Sequence, residues 1–555
     1  MVSNKKVKEM FIGFLFLITG GLSAFLTKVL VDEPLINSGG MYGASGINQK
    51  MLITFLVFFV VIGAICGTVF FLMNRRFGKS HSKNTGSLLN HKQVKKEQYH
   101  TGTNFLIPQN SKEFNEPQHL LLSQHIKLRQ ENFFQHALVI SATGTGKSAS
   151  ILIPQIQNVD GDVSLVVTDP KAELFRKTYH HLREKGFKPM LLKLDNPEVS
   201  LKYNLLGNCR NINDVRKLAE SILGDDEWGR LSQTLLSAFL FRQYHLGGTI
   251  SDVVKDLAEA PMDVYELQLE YFTDVDAHSE MAYKQFAKTA GSENTVSSIF
   301  VTIQSKMKVF EYDNIIEISK GGNFKIDSLR KEKIALFISY PEEESTIYAP
   351  FLASFYYQMF NILKGDKSVD ESQSDVSGLP VYFLLDEFAN IGKIPTMDNL
   401  ISTIRSKKMG VEIFLQNIEQ LQSLYGQEVA ETIVQNTGTR MTMYGNSNKS
   451  SKYFSDLSGK REEETLSYSS SDGGGISYSS SVQEKQVISV DEVRRMKEWE
   501  IVIIASNLRP IKDDKNYYFR NKIDFWVHKN IKADAKTKIK LAKFLNKVLG
   551  KKKRG

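Results

Sequence analysis

Two short clusters carry residue types that together perform phosphate chemistry. The first is Ser141-Ala142-Thr143-Gly144-Thr145-Gly146-Lys147-Ser148-Ala149, directly after the four apolar residues Ala137 to Ile140. Glycines let backbone N–H groups turn inward onto β- and γ-phosphates, Lys147 supplies a point charge to them, and the Ser148 hydroxyl is placed to ligate Mg²⁺. Residues Thr143, Gly144, Thr145, Gly146, Lys147, Ser148 and Ala149 are therefore expected to bind nucleotide. Ser141 stands where the full pattern has Gly, but it is small and the T-G-T-G-K-S core is intact. The second cluster is Asp386-Glu387, at the end of the apolar run Val381 to Leu385. There Asp386 is expected to hold Mg²⁺ through water, and Glu387 to orient or deprotonate the attacking water, the division of labour that ATP hydrolysis needs. The alternative reading of the loop is a glycine-rich structural turn, and a strand ending in two acids is by itself a weak signal. Together they point to an ATP hydrolase.

Two further polar residues lie beyond the acids. Gln416 comes directly after Val411 to Leu415, so it is expected at the edge of a sheet where it senses the γ-phosphate. Arg405, in a basic stretch with Lys407 and Lys408, is a candidate arginine finger acting across a subunit boundary, with a plain surface charge as the alternative.

The elements that must position these residues read as strands alternating with helices. Strand patterns are expected at Ala137 to Ile140, Ser164 to Thr168 and Met190 to Leu194, then at Ile334 to Ser339, Val381 to Leu385, Val411 to Leu415, Arg440 to Tyr444 and Ile501 to Ala505. The early β-α-β-α-β alternation argues a parallel sheet, hence an α/β fold. Ser164 to Thr168 runs into Asp169-Pro170-Lys171-Ala172-Glu173-Leu174, and polar residues at such a strand end face the ligand crevice. Pro154, in the second turn after the glycine-rich loop, is expected to distort that helix. From about 208 to 309 the apolar positions take up helical spacing instead, for example Ile212, Val215, Leu218, Ala219 and Ile222. This is a helical insertion between strands. Its clusters Asp225-Asp226-Glu227-Trp228 and Glu270-Tyr271-Phe272 are candidates for contacting a basic cargo.

Composition bounds the rest. With 555 residues the chain exceeds a single compact core, and 42% hydrophobic with 24% charged content excludes a wholly disordered chain. The two cysteines, Cys66 and Cys209, have no metal-ligand spacing. The net charge of +8 sits in 529–555, where eleven Lys or Arg face one Asp and apolar residues are interleaved; the body is close to neutral. Residues 10–27 and the 23 charge-free residues 51–73 are each long enough to cross about 30 Å of hydrocarbon. Lysines before the first and Lys/Arg after the second put both termini in the cytoplasm. The expectation is a cell-membrane protein with two spans. Residues 78–118 are polar and aperiodic, expected as a tether, and Leu466 to Gln483 is Ser/Gly-rich, expected as a loop or hairpin tip.

The order T-G-T-G-K-S, then I-P-Q, D-P-K-A-E-L, K-Y-N-L-L at 202–206, L-L-D-E-F-A-N-I-G-K-I-P at 384–395, and the strand end at Gln416 resembles the type IV secretion coupling proteins of the TraG/TraD kind. One departure is that Leu205 comes after Asn204 where a Pro is usual. The resemblance implies two transmembrane helices in an anchor at 1–77, a RecA-like P-loop NTPase domain at 119–207 and 310–528, an inserted all-α domain at 208–309, and a basic tail at 529–555. It further implies a homohexamer that uses ATP and Mg²⁺ to deliver a relaxase (relaxosome) with single-stranded DNA, or a protein, to type IV secretion channel proteins, in contact with membrane lipid. The competing readings are a chromosome-segregation DNA translocase of the same fold, and a docking receptor with vestigial ATPase activity.

Overall fold

The computed structural model describes residues 87–224, 227–322, 324–365, 378–470 and 476–519. Contacts divide the chain into Met1–Lys83 and Asn84–Gly555, and all described residues lie in the second unit. Its frame is a 9-stranded sheet built from β1 (Ala137–Ile140), β2 (Ser164–Thr168), β3 (Lys188–Lys193), β4 (Ile334–Ser339), β5 (Val381–Leu385), β6 (Met409–Leu415), β7 (Thr439–Thr442), β8 (Glu500–Ala505) and β9 (Ile511–Asp514). In space the strands run β9-β8-β7-β1-β6-β5-β2-β4-β3. From β7 to β3 every neighbouring pair is parallel, and β8 and β9 close the other edge antiparallel.

The inner strands read as unbroken apolar runs because both faces are covered. Leu138 and Ile140 face one core, Ala137 and Val139 the other. The second core holds α2 (Ile153–Asn158) and α3 (Glu173–Glu184), and the first holds the helical insertion. That insertion runs from β3 to β4 and its principal helices are Ile212–Leu223, Glu227–Leu246, Ile250–Glu259, Val264–Tyr271, Ala277–Thr289, Glu293–Met307 and Asp313–Ser319. Side chains of Asn211, Thr249, Asp263 and Ser292 each accept a backbone N–H of the first turn, so local chemistry starts these helices where they start. The insertion is not a separate globule, since its core is continuous with the sheet's, and Ser221 Oγ meets Ser354 Oγ of the Ser345–Lys364 helix at 2.9 Å. Its expected cargo clusters divide: Trp228 is 47% exposed, whereas Phe272 is buried and stacked on Tyr283. Asp225 and Asp226 lie outside the described residues.

Pro154 acts as expected. The turn Ser148–Leu152 ahead of it is a π-helix, with Ile153 N–H reaching five residues back to Ser148 O. Widening the turn accommodates the proline ring, which would otherwise press on the preceding turn's carbonyl. The Ser/Gly-rich stretch belongs to a hairpin, Lys460–Ser470 paired antiparallel with Ile476–Gln486.

Three expectations are corrected. The segment expected as a tether is folded in large part: α1 (His91–Thr101) is capped by a reciprocal Asn90/Gln93 box, and Leu106–Pro108 pairs with Ile126–Leu128. Its core residues Leu89, Val94, Phe105 and Leu106 form no regular stripe, the helix burying Val94 alone among them, which is why no periodicity marks it, and polar ties add to their hold. Gln98 serves the N–H groups of Phe105 and Leu106 and the carbonyl of Leu106, and Arg509 pairs with Glu97. Strand β9 was not expected, because its second inward-facing residue is a carboxylate. Asp513 is buried and accepts from Ser123 Oγ at 2.6 Å, with His125 Nδ1 at 2.8 Å and His91 Nδ1 at 3.0 Å. Finally, the expected membrane location, with two spans and cytoplasmic termini, is overturned: among the described residues no helix is long and apolar enough to cross a membrane. The longest described helices, such as Ser345–Lys364, bury their apolar residues against the sheet instead. The segments 10–27, 51–73 and 529–555 lie outside the described residues.

One core residue makes stability sensitive to pH. Glu412 of β6 is fully buried beside the glycine-loop strand, opposite Ala137, and accepts one hydrogen bond, from Gln155 Nε2 of α2 at 3.1 Å. Its other oxygen, Oε2, and Gln155 Oε1 have no partner among the described residues. Burial pushes the carboxyl up to about 8, so the group is folded as a neutral acid. The folded value exceeds the unfolded one, so its contribution is complete below the ordinary glutamate range and is lost as pH rises toward 8. Wild-type stability from urea unfolding is expected to fall between pH 5 and 8 by at most about 1.4 kcal/mol per pH unit from this group. Glu412→Gln flattens that slope; an unchanged slope in the variant disproves the assignment.

Candidate functional site

The glycine-rich loop leaves β1 at the edge of the sheet formed by the C-terminal ends of the parallel strands. Gly144 and Gly146 have φ of 77° and 87°, where a side chain is strained. Ser141, at the position where a glycine was expected, does not have positive φ, and its hydroxyl bonds that of the buried Thr145. Thr145 Oγ1 also donates to Ala142 O at 2.8 Å. These bonds tighten the loop from within. Lys147 is buried, its Nζ donating to Ser141 O at 3.0 Å and lying 3.5 Å from Glu387 Oε1.

Parallel pairing brings the acids to the same edge. β5 ends at Leu385, so Asp386 and Glu387 emerge beside the loop. Asp386 is buried and accepts the Glu387 N–H at 3.1 Å. Burial raises its carboxyl to about 7, the Glu387 charge pushing the same way and Lys147 opposing. Glu387 has φ of 48°, a strained left-handed conformation for a side-chain-bearing residue, of the kind that collects at functional sites. Gln416, one residue past β6, donates from Nε2 to Glu387 Oε2 at 3.0 Å.

Thr143, Gly144, Gly146, Lys147, Ser148, Ala149, Asp386 and Glu387 thus line one open cleft. Thr145 is turned away from it, and Gln416 reaches it only through Glu387. Arg405 is not brought there. It is exposed in the 3-10 turn Ile404–Lys407 that precedes β6, at the opposite edge of the sheet from the loop. Four charged lining residues had no assigned chemical role: Asp169, Lys171, Glu173 and Glu342. Asp169 at the end of β2 is buried, which raises its carboxyl, and it accepts the Phe175 N–H at 2.8 Å. Lys171 pairs with Glu342 at 2.7 Å. The strand-end position of Asp169-Pro170-Lys171 was a usable signal; Glu342, in an acidic run just past β4, carried none.

Residues 84–549 match the family model described as type IV secretory system conjugative DNA transfer. Protein VirD4 of Rhizobium radiobacter is 21% identical over 408 residues, 70% of this chain and 57% of that protein. Conjugal transfer protein TraG of Escherichia coli is 24% identical over 356 residues, 59% of this chain and 55% of that protein. The chain therefore spans little more than half the length of these relatives. Among solved structures, the plasmid coupling protein TrwB in complex with the non-hydrolysable ATP analogue ADPNP superposes with a TM-score of 0.58 at 17% identity, covering 80% of this chain and 96% of that one. TrwB with ADP and Mg²⁺ gives 0.54 at 18% identity, covering 72% and 90%. At such identity the structural likeness speaks to the α/β fold with its helical domain. The match to the family model extends over most of the sequence, and the chain belongs to the type IV secretory system conjugative DNA transfer family.

Proposed function

We propose that this chain is an ATP-hydrolysing motor that couples a relaxase–DNA complex, or a protein, to a type IV secretion channel and drives its transfer during conjugation, working as a homohexamer. The observation that carries the reading is the convergence of Lys147, Ser148, Asp386 and Glu387 in one cleft of a chain of this family. Relatives of this fold have been seen with ADPNP and with ADP and Mg²⁺, which supports the same ligands here.

The donor set fits those ligands. Loop N–H groups and Lys147 bind the phosphates. The Ser148 hydroxyl and the Asp386 carboxylate are hard oxygen ligands suited to Mg²⁺. When bound, the ion neutralises charge on the phosphate oxygens. Lys147 Nζ lies between Ser141 O and Glu387. A triphosphate competes for that ammonium, so its arrival frees Glu387 to act on water while Gln416 keeps hold of the other carboxylate oxygen. Gln416 thereby links strand β6 to the base. Arg405, at the opposite edge of its own sheet, acts on a neighbouring copy's nucleotide in this reading. The helical insertion contributes no lining residue to the cleft, which supports a division in which the sheet drives and the insertion selects cargo. The family match favours a coupling protein over a chromosome-segregation pump, and retention of all four chemical groups disfavours a vestigial receptor.

ATP turnover with and without single-stranded DNA tests the motor reading. Lys147→Ala is expected to abolish turnover while thermal unfolding stays near wild type; unchanged turnover refutes the loop assignment. Glu387→Gln is expected to retain ATP binding and to lose roughly 10²–10⁴ of turnover, as removal of a general base does. A loss of only about threefold, far short of that range, removes Glu387 from the role. Replacing 210–305 by the same segment of a relative with a different cargo is expected to keep turnover and switch the cargo transferred, whereas transfer of the original cargo places recognition elsewhere.

A further inference from the structure

The glycine-rich loop is gripped by two lysines from two sides. Inside the cleft, Lys147 Nζ donates to Ser141 O at 3.0 Å. Lys515, just past β9, does not line the cleft; its side chain is 0% exposed and donates from Nζ to Thr145 O at 2.8 Å. The same ammonium lies 4.6 Å from the centre of the Tyr444 ring. Its backbone is anchored by Lys515 N–H to Trp499 O at 2.7 Å. From there the chain stays on the loop. The Tyr517 ring comes within 3.5 Å of where a Cβ on Gly146 would stand, and Tyr518 N–H donates to Ala149 O at 3.0 Å.

Peptide geometry shows what the Lys515 bond to Thr145 O does to the loop. The 145–146 bond is trans, so its C=O and N–H point in opposite directions. A carbonyl drawn outward to Lys515 turns the Gly146 N–H the other way, on the side of the loop that carries the cleft. A hydrogen bond to the carbonyl also polarises the peptide and strengthens that N–H as a donor. We propose that Lys515 is a positioning residue for the phosphate site, holding the 145–146 peptide so that the Gly146 N–H faces the phosphates while Lys515 itself touches none of them. The inference rests on the nucleotide reading above and adds a residue that lies 368 positions beyond Lys147 in the chain.

The test titrates the full-length protein, with Mg²⁺ present, against ATP and against inorganic tripolyphosphate, which offers phosphates without a base. In Lys515→Met both ligands are expected to bind about tenfold more weakly, by similar factors, in a variant whose circular dichroism shows that it still folds. Lys515→Arg restores a donor and most of the affinity. Binding by the methionine variant within about twofold of wild type, or a loss confined to ATP, overturns the proposal, since one lost charge-assisted hydrogen bond is worth more than that. If the methionine variant does not fold, Lys515→Arg and Lys515→Gln decide. Both present an N–H to Thr145, and a loss beyond about tenfold in both shows that the donor is not what matters. A wild-type protein that binds neither ligand refutes the nucleotide reading itself, a result distinct from either.

Discussion

Everything at the cleft depends on parallel pairing around β1. Because β1, β5 and β6 run the same way, the residues just past each strand emerge at one edge: the glycine-rich loop after Ile140, Asp386-Glu387 after Leu385, and Gln416 after Leu415. The pairing is enforced from both faces, since alternate residues of β1 belong to two different cores. A slip of one residue would exchange those faces, and the cost of exposing an apolar set to the wrong environment makes the register rigid. Chemistry that needs atoms placed to a fraction of an ångström is thus built at the ends of elements that cannot slide.

The electrostatics of the cleft come from that placement. Lys171 and Glu173 are engaged with Glu342 and Lys177, which leaves Asp169, Asp386 and Glu387 around Lys147. Burial is what raises the Asp386 and Asp169 carboxyls, and at Asp386 the Glu387 charge adds to it while Lys147 opposes it. The strained Glu387 backbone and its bond to Gln416 hold that carboxylate in place.

The segments flanking the sheet are tied to it by buried polar contacts as well as by scattered apolar ones such as Leu89, Val94 and Leu106. The N-terminal segment grips β9 through His91, His125 and Ser123 on Asp513, and the segment after β9 grips the loop through Lys515. Elements held this way are strongly specified, because a buried carboxylate or ammonium without its partners costs several kcal/mol. They are also nearly invisible to hydrophobic periodicity.

Local chemistry was therefore legible in the amino-acid order: the inner strands, the helical insertion, the distortion before Pro154, and the residue types of the loop and the acidic strand end. Each depends on neighbours within a few positions, where apolar alternation and glycine placement act directly. Helix α1 and strand β9 escaped because their stabilising partners lie hundreds of residues away, Asp513 answering to His91 and His125. Chain crossings brought Glu342 into the cleft and Lys515 to the loop from outside it, and Arg405 was placed at the far edge although it is close in sequence to the acids. Those positions were settled in three dimensions alone, because the order of strands in a parallel sheet is set by which apolar faces must be covered together, and that order is not written in any one segment.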